Sequence, residues 1–312
     1  MNISNIWFPR VLVLGSGGRK GFLMLGLLLL LKNTKILDQV DTIVGVSVGA
    51  IIGLMYLVGC TVTEIIEVSL SISPSLLLDN IDVKKITNSF GLFTHDLFRN
   101  TINSKILQHI GFIPTMKQLY MMTGIKFMAG VVNISDDKEE YFSYETEPDL
   151  LVTEAVIMSM NIPFVFQKYK YKNKFYVDGG VLNTLPIDLF NAENTDILAI
   201  NMSNKSKNLN NESLFFYFSK IFALIISKNS KKLIEYKSDK CKIIQLNESI
   251  NKGGNMDPVG MKLSFEEKSQ MIIDGYINGL TFIQDLNNND LYLKNNIELL
   301  DISYFDKTLF SK

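Results

Sequence analysis

The chain has 312 residues, 47% of them hydrophobic, with a formal net charge of −1. That length suits one large domain or two small ones with a sizeable core, and the charge excludes a global pull toward nucleic acid. The two cysteines, Cys60 and Cys241, are far apart; they exclude a disulfide framework and fit a reducing compartment.

Residues 1–10 lack a basic stretch followed by an apolar core, so no secretory signal is read and an intracellular, cytoplasmic location is expected. Val11–Leu14 is an apolar run ending in glycines and is predicted to be a buried strand entering a tight turn. Gly21–Leu31 is Leu-rich and reads as a buried helix. Thr42–Val46 reads as a second strand and Val48–Val58 as the helix after it. Strand, helix, strand, helix predicts an α/β fold with a mainly parallel sheet.

Ile43–Gly59 holds 17 consecutive uncharged residues, at the lower edge of a membrane span, and Gly45, Gly49 and Gly53 recur every four, as in packed transmembrane helices. A helix buried beneath a sheet is equally apolar, and no second span accompanies this one.

Thr61 and Glu64 form a capping box ahead of a helix. Helices are predicted over Asp96–Ile110, Thr115–Met122 and Asp149–Met160, the last stopping before Pro163. Ile125–Ile134 and Asp196–Asn201 read as strands, and Val165–Tyr171 with Lys174–Val177 as a hairpin around Asn173. Ser264–Leu286 is a long amphipathic helix, and Asn288–Lys312 reads as loosely held. The economical organisation is a single domain over 1–312, with a motif core at about 9–202 and a helical extension at about 203–312.

Three segments carry chemistry. The loop Gly15-Ser16-Gly17-Gly18-Arg19-Lys20-Gly21 follows a strand and opens a helix, so its N–H groups and the helix dipole can face one negative charge. A dinucleotide fingerprint fails on its last glycine, and a Walker loop fails because the lysine precedes that glycine. An oxyanion hole fits, since Gly17 and Gly18 allow close backbone approach; a tight turn needing positive φ is the plain alternative. Gly45-Val46-Ser47-Val48-Gly49 looks like a nucleophile elbow, although small residues also cluster in apolar helices. Asp178-Gly179-Gly180 follows a predicted strand and offers either a general base for Ser47 or an ordinary turn. The only histidines are His95 and His109, so a Ser-Asp-His order along the chain has almost no room, and a carboxylate is the expected base. Both histidines read as solvated or core residues.

These motifs, in this order and spacing, resemble the patatin-like phospholipase family of serine acyl hydrolases. Its glycine loop falls on Ser16, Gly17, Gly18, Arg19, Lys20 and Gly21, with Ser16 where a glycine is usual. Its Gly-x-Ser-x-Gly falls on Gly45, Ser47 and Gly49, and its Asp-Gly-Gly on Asp178, Gly179 and Gly180. Ala155–Phe166, Gln118–Gly124 and Phe265–Phe282 are similar as well. The resemblance implies a three-layer sandwich around a mainly parallel central sheet. It also implies a Ser47–Asp178 dyad that forms an acyl-enzyme, and an oxyanion hole from the amides of Gly17, Gly18 and Arg19. Neither cofactor nor metal is expected.

The expected partner is a phospholipid at a membrane surface, reached by peripheral association, with an activating protein left open and no nucleic acid. Lys168, Lys170, Lys172 and Lys174 alternate and would share one face of an extended strand, against anionic headgroups or simply in solvent. Phe215-Phe216-Tyr217-Phe218 reads as core or as an interfacial segment. Phospholipase A activity is the leading expectation. A neutral lipase or thioesterase on the same dyad, or a non-catalytic lipid-binding membrane protein, is the alternative.

Overall fold

A computed structural model describes residues 7–71, 89–202, 221, 224, 238–249 and 263–287. The segments 215–218 and 288–312 lie outside the described residues.

The first half follows the sequence closely. Strand β1 is Val11–Leu14, helix α1 Gly21–Asn33, β2 Thr42–Val46 and α2 Val48–Leu57. A 3-10 turn, Gly18–Lys20, leads into α1. Helix α3, Val62–Ser71, starts at the expected capping box: Thr61 N–H donates to Glu64 at 2.7 Å and Glu64 N–H to Thr61 Oγ1 at 3.1 Å. Then come β3 (Gly91–Phe93), α4 (Asp96–Ile110), α5 (Met116–Thr123), β4 (Lys126–Asn133), β5 (Lys138–Phe142), α6 (Val152–Ser159), β6 (Phe164–Phe166), β7 (Tyr169–Tyr171), β8 (Lys174–Asp178), β9 (Ile197–Met202), β10 (Cys241–Leu246) and α7 (Phe265–Asn287). The apolar run Ile43–Gly59 is thus part of a strand, a turn and a ten-residue helix. No helix among the described residues is long and apolar enough to cross a membrane.

Hydrogen-bonded neighbours in the main sheet run β10-β9-β1-β2-β4-β8-β7, with β5 also on β4. The β10-β9-β1-β2-β4 portion is parallel throughout. The result is the expected α/β architecture, a mainly parallel central sheet flanked by helices. Both faces are covered, so β1 is apolar at every position rather than alternating. Leu12 and Leu14 enter the large core with α1, α2 and α7. Val11 and Val13 face the other way, onto Leu185 and Ile187 beside a second 3-10 turn, Ile187–Leu189.

The detail at β4 positions everything that follows. Residues 129–133 of β4 pair with β5, while 126–130 pair in parallel with β2 and 131–133 in antiparallel with β8. A strand has two edges, and β5 occupies one. Strands β2 and β8 therefore share the other, running toward each other and meeting between Gly130, opposite Val46, and Val131, opposite Asp178.

Two expectations need correction. Val165–Tyr171 is not one strand: Phe164–Phe166 pairs with β3 in a separate two-stranded sheet, and only Tyr169–Tyr171 forms the hairpin with β8. The chain reverses at Lys172 and Asn173, both at positive φ, so the four lysines do not share one strand face. Each has its own partner instead. Lys172 contacts Glu147 at 2.6 Å, Lys174 pairs with Asp136, and Lys168 and Lys170 lie over the rings of Phe90 and Phe175. Strands β3, β5 and β10 were not anticipated; β5 is largely polar and carries no buried run.

Helix α7 packs on α1 through direct backbone approach. A Cβ at Gly26 would lie 1.8 Å from Ile272 O, and one at Gly275 would lie 1.8 Å from Leu23 O. Gly275→Leu is expected to force the helices apart, at a cost of about 1–3 kcal/mol or more. Thermal unfolding followed by circular dichroism reads this as a lowered Tm, whereas Gly53→Ala, whose Cβ would meet only side-chain atoms at 3.1–3.4 Å, is expected to change it little.

Candidate active site

Strand β2 ends at Val46 and the chain turns into α2 at Ser47, which adopts φ 58° and ψ −124°. A non-glycine residue there is strained, and such strain persists only where the surroundings enforce it. Four close approaches do so. A Cβ at Gly45 would lie 2.5 Å from Ala50 Cα, and one at Gly49 would lie 2.2 Å from Leu14 O, so both glycines are needed for the turn to close against β1. The Ser47 N–H donates to Ser159 Oγ at 2.9 Å, and Ser159 Oγ donates to Gly130 O at 2.7 Å. The elbow is thereby tied to β4.

Asp178 arrives at the same point from the opposite direction as the last residue of β8. Its Oδ1 accepts from Gly180 N–H at 2.7 Å, as the cap of the 3-10 turn Gly179–Val181. Its Oδ2 is sealed from solvent and has no hydrogen-bond partner among the described residues. Gly179 must be small because a Cβ there would lie 2.4 Å from Gly130 O. Burial pushes the Asp178 carboxyl up from 3.8 to about 7, while the Ser47 hydroxyl and the Gly180 N–H, both acting on it, pull it back down. Ser47 and Asp178 are therefore brought together, 131 positions apart in sequence.

The glycine loop lies at the carboxyl end of β1, beside this junction. Gly15 N–H bonds to Ile200 O and Ser16 N–H to Thr184 O, which fixes the start of the loop. Gly18 has φ 53°, a conformation that favours glycine. Among the described residues, no backbone carbonyl takes the N–H groups of Gly17, Gly18 or Arg19. They are the free donors expected at the start of a turn. A Cβ at Gly21 would lie 2.5 Å from Val48 Cγ2, so the head of α1 rests against the elbow. Ser16 Oγ is buried, and a Cβ on Gly180 would lie 2.8 Å from it and 3.0 Å from Asp178 Oδ1.

The far end of the chain braces the loop. Arg19 reaches Glu248 at 2.9 Å, and the adjacent Ser249 donates to Asp274 of α7 from N at 2.9 Å and from Oγ at 2.6 Å. Lys20 is pushed down to about 8 by burial, with Glu248 acting to raise it and Arg19 to lower it.

Neither histidine touches Ser47. His95 is buried, with Nε2 3.0 Å from Asn161 Oδ1, and His109 pairs with Glu64 at 3.2 Å. Ser159 and Asn161 lie within the stretch Ala155–Phe166 that resembles the family, and Gly130 within a predicted strand, but nothing in the sequence marks any of them as a site residue. Their contacts join segments far apart in sequence, and no local pattern announces them. Cys60 and Cys241 are buried free thiols. No group of three His, Cys, Asp or Glu among the described residues is placed to hold a metal ion.

The family model for patatin-like phospholipase matches residues 12–191. A probable lipid hydrolase of Invertebrate iridescent virus 6 is 34% identical over 186 residues, covering 58% of this chain and 63% of the relative. The chain therefore matches somewhat less than two thirds of that protein's length. An uncharacterized protein of Acanthamoeba polyphaga mimivirus is 26% identical over 262 residues, covering 77% of this chain and 84% of the relative. Among solved structures, VipD from Legionella pneumophila superposes with a TM-score of 0.58 at 16% identity, covering 89% of this chain and 67% of that one. This likeness is one of fold.

The buried carboxyl has a consequence for stability that needs no assumption about activity. Its folded value lies above its unfolded one, so its contribution is fully present below about pH 4 and is lost as pH rises through about 7. The loss is on the order of 4 kcal/mol. Asp178→Asn removes the titration. Thermal melts across pH are expected to show the variant gaining Tm over the wild type at pH 8, with the gain shrinking toward pH 4.

Proposed function

The chain belongs to the patatin-like phospholipase family, and from that premise we propose that it is a phospholipase A-type lipid acyl hydrolase in which Ser47 is the nucleophile and Asp178 its base. The observation that carries this reading is the meeting of a strained elbow serine with a sealed carboxyl whose pKa is about 7. An ordinary aspartate near pKa ~3.9 is a weak base, and burial brings this one close to the pH at which base catalysis is most effective.

The reaction then follows in two halves. As Ser47 Oγ adds to the ester carbonyl carbon, its proton passes to Asp178. The negative charge on the former carbonyl oxygen is held by the N–H groups at Gly17, Gly18 and Arg19. The intermediate collapses, Asp178 returns the proton to the departing alcohol oxygen, and the acyl group stays on Ser47. Water gives a proton to Asp178 and attacks the acyl carbon; Ser47 Oγ leaves, recovering the proton, and the fatty acid is released.

Phospholipid at a membrane surface is the proposed substrate, approached by peripheral association. The packing of α7 on α1 supports reading the C-terminal extension as part of the same domain.

The test is release of free fatty acid from phosphatidylcholine vesicles, followed by mass spectrometry, with triacylglycerol and acyl-thioester substrates alongside. Ser47→Ala and Asp178→Asn are each expected to lower kcat by on the order of 10³-fold or more while remaining folded. Wild-type turnover in both variants would falsify the dyad. Preference for a neutral lipid or a thioester would reassign the substrate and leave the dyad standing.

Two further outcomes follow from the same geometry. Gly18→Val places a β-branched side chain at positive φ beside the free donors, with an expected loss of about 10²–10³-fold in kcat. The pH profile of kcat/KM is expected to rise with unit slope and level off above about 7, as Asp178 ionises. A profile already flat at pH 5 would remove Asp178 as the titrating base.

A further inference from the structure

Strand β7 covers only part of β8. Their pairs are Tyr169 with Tyr176, Lys170 with Phe175 and Tyr171 with Lys174, so the ladder ends before Val177 and Asp178. Asn161 takes the place of the missing rung. Its carbonyl oxygen accepts from Asp178 N–H at 2.9 Å, and its side-chain Nδ2 donates to Tyr176 O at 2.7 Å. One residue thus grips the backbone on both sides of Val177, the position before the carboxylate.

The side-chain grip depends on which way the Asn161 amide faces. Nδ2 is committed to a carbonyl, which can only accept, so Oδ1 points to His95 Nε2 at 3.0 Å. His95 Nε2 must then carry the proton. The imidazole stands where α4 begins and is fixed by its own surroundings. It stacks on Phe166 at 5.4 Å between ring centroids and meets Tyr169 edge-on, also at 5.4 Å. Burial lowers its pKa most; Asn161, Asp96 and Glu154 act to raise it, and Arg99 to lower it. A neutral ring has one N–H, and this arrangement assigns it to Nε2.

Two residues before Asn161 stands Ser159, which holds the Ser47 N–H. The last residue of α6 and the segment just after it therefore hold both reacting residues. We propose that Asn161, oriented by the Nε2–H of His95, is a positioning residue that sets the aim of the Asp178 carboxylate at Ser47. The inference rests on the dyad reading for its kinetic consequences and on geometry alone for its structural ones. It gives the buried histidine, which sequence alone marks as core or solvated, a defined role behind the site.

The experiment uses the full chain and four variants: Asn161→Ala, His95→Leu, His95→Gln and Asp178→Asn. Asn161→Ala and His95→Leu are expected to lower kcat on a soluble short-chain ester by on the order of 10²-fold, the scale of a displacement near 1 Å, with KM nearly unchanged. The acidic limb of the pH profile is expected to move below 7, because a loosened Asp178 admits water and burial no longer holds its pKa up. His95→Gln keeps an N–H donor near the place of Nε2 and is expected to recover most of the kcat lost in His95→Leu. A His95→Gln variant as impaired as His95→Leu overturns the proposal, as do folded Asn161→Ala and His95→Leu variants with wild-type kcat and limb.

Should the wild type and Ser47→Ala both lack ester hydrolysis, the dyad reading fails, and the positioning inference is still read from stability. The pH-dependent Tm difference between the chain with Asp178 and its Asp178→Asn variant, measured with and without Asn161→Ala or His95→Leu, is expected to shrink when either second substitution is present. An unchanged difference overturns the proposal. His95→Leu acts at one remove from β8, so it gives a reading even where Asn161→Ala does not fold.

Discussion

The geometry of this protein turns on one edge of β4. Eight residues long, that strand accepts β2 along the first part of the edge and β8 along the rest, because β5 already occupies the opposite side. Two chain ends running toward each other along one template must meet, and the residues at their tips are Ser47 and Asp178. Their proximity is therefore a matter of strand register more than of any direct attraction between the side chains. A shift of one residue in either pairing would move a tip by about 3.3 Å and turn its side chain to the other face of the sheet.

Register alone does not make the junction tight; that requires backbones to approach where side chains would block them. Gly45 and Gly49 let the elbow fold against Ala50 and the end of β1, and Gly179 lets the turn after Asp178 press on the carbonyl of Gly130. The same carbonyl accepts from Ser159, whose hydroxyl holds the Ser47 N–H. Gly130 thus serves both tips at once. The positive φ of Ser47 is strain that these contacts, supported by a large apolar core, keep in place.

Much of this was legible in the sequence. Val11–Leu14 reads as a strand because its apolar run ends abruptly at glycines, Thr42–Val46 reads as the second strand, and Asp96–Ile110 emerged with its observed bounds. The Ser47 and Asp178 segments, each ambiguous alone, stood out because three glycine-bearing motifs occur together in the order and spacing of the family. What stayed hidden is non-local. Nothing near Asn161 says that its amide will complete a strand ladder, and nothing near His95 says that it will face that amide across 66 positions. The lysine run misled for a related reason: alternation implies a shared face only while the strand continues, and two residues at positive φ at Lys172 and Asn173 reverse the chain. Polar β5 lacks the hydrophobic signal that sequence periodicity depends on, yet it decides which edge of β4 remains for the strands that carry Ser47 and Asp178.

The carboxyl that would act as base is also a place where the fold gives up stability. Sealing Asp178 without a partner for Oδ2 disfavours its charged form, and that same penalty moves its pKa from 3.8 to about 7. An ion-paired aspartate, or one with both oxygens fully hydrogen-bonded, would stabilise the protein at neutral pH and would be a poorer proton acceptor. No charged side chain contributes to the shift of Asp178; the groups acting on it are the Ser47 hydroxyl and the Gly180 N–H. Arg19 of the glycine loop pairs instead with Glu248, beside the segment held by α7. A cation beside the carboxylate would lower its pKa, so a guanidinium paired elsewhere leaves the burial-raised value in place. In this arrangement helix α7 does more than pack on α1 through Gly26 and Gly275. It anchors the segment that carries the acidic partner of Arg19.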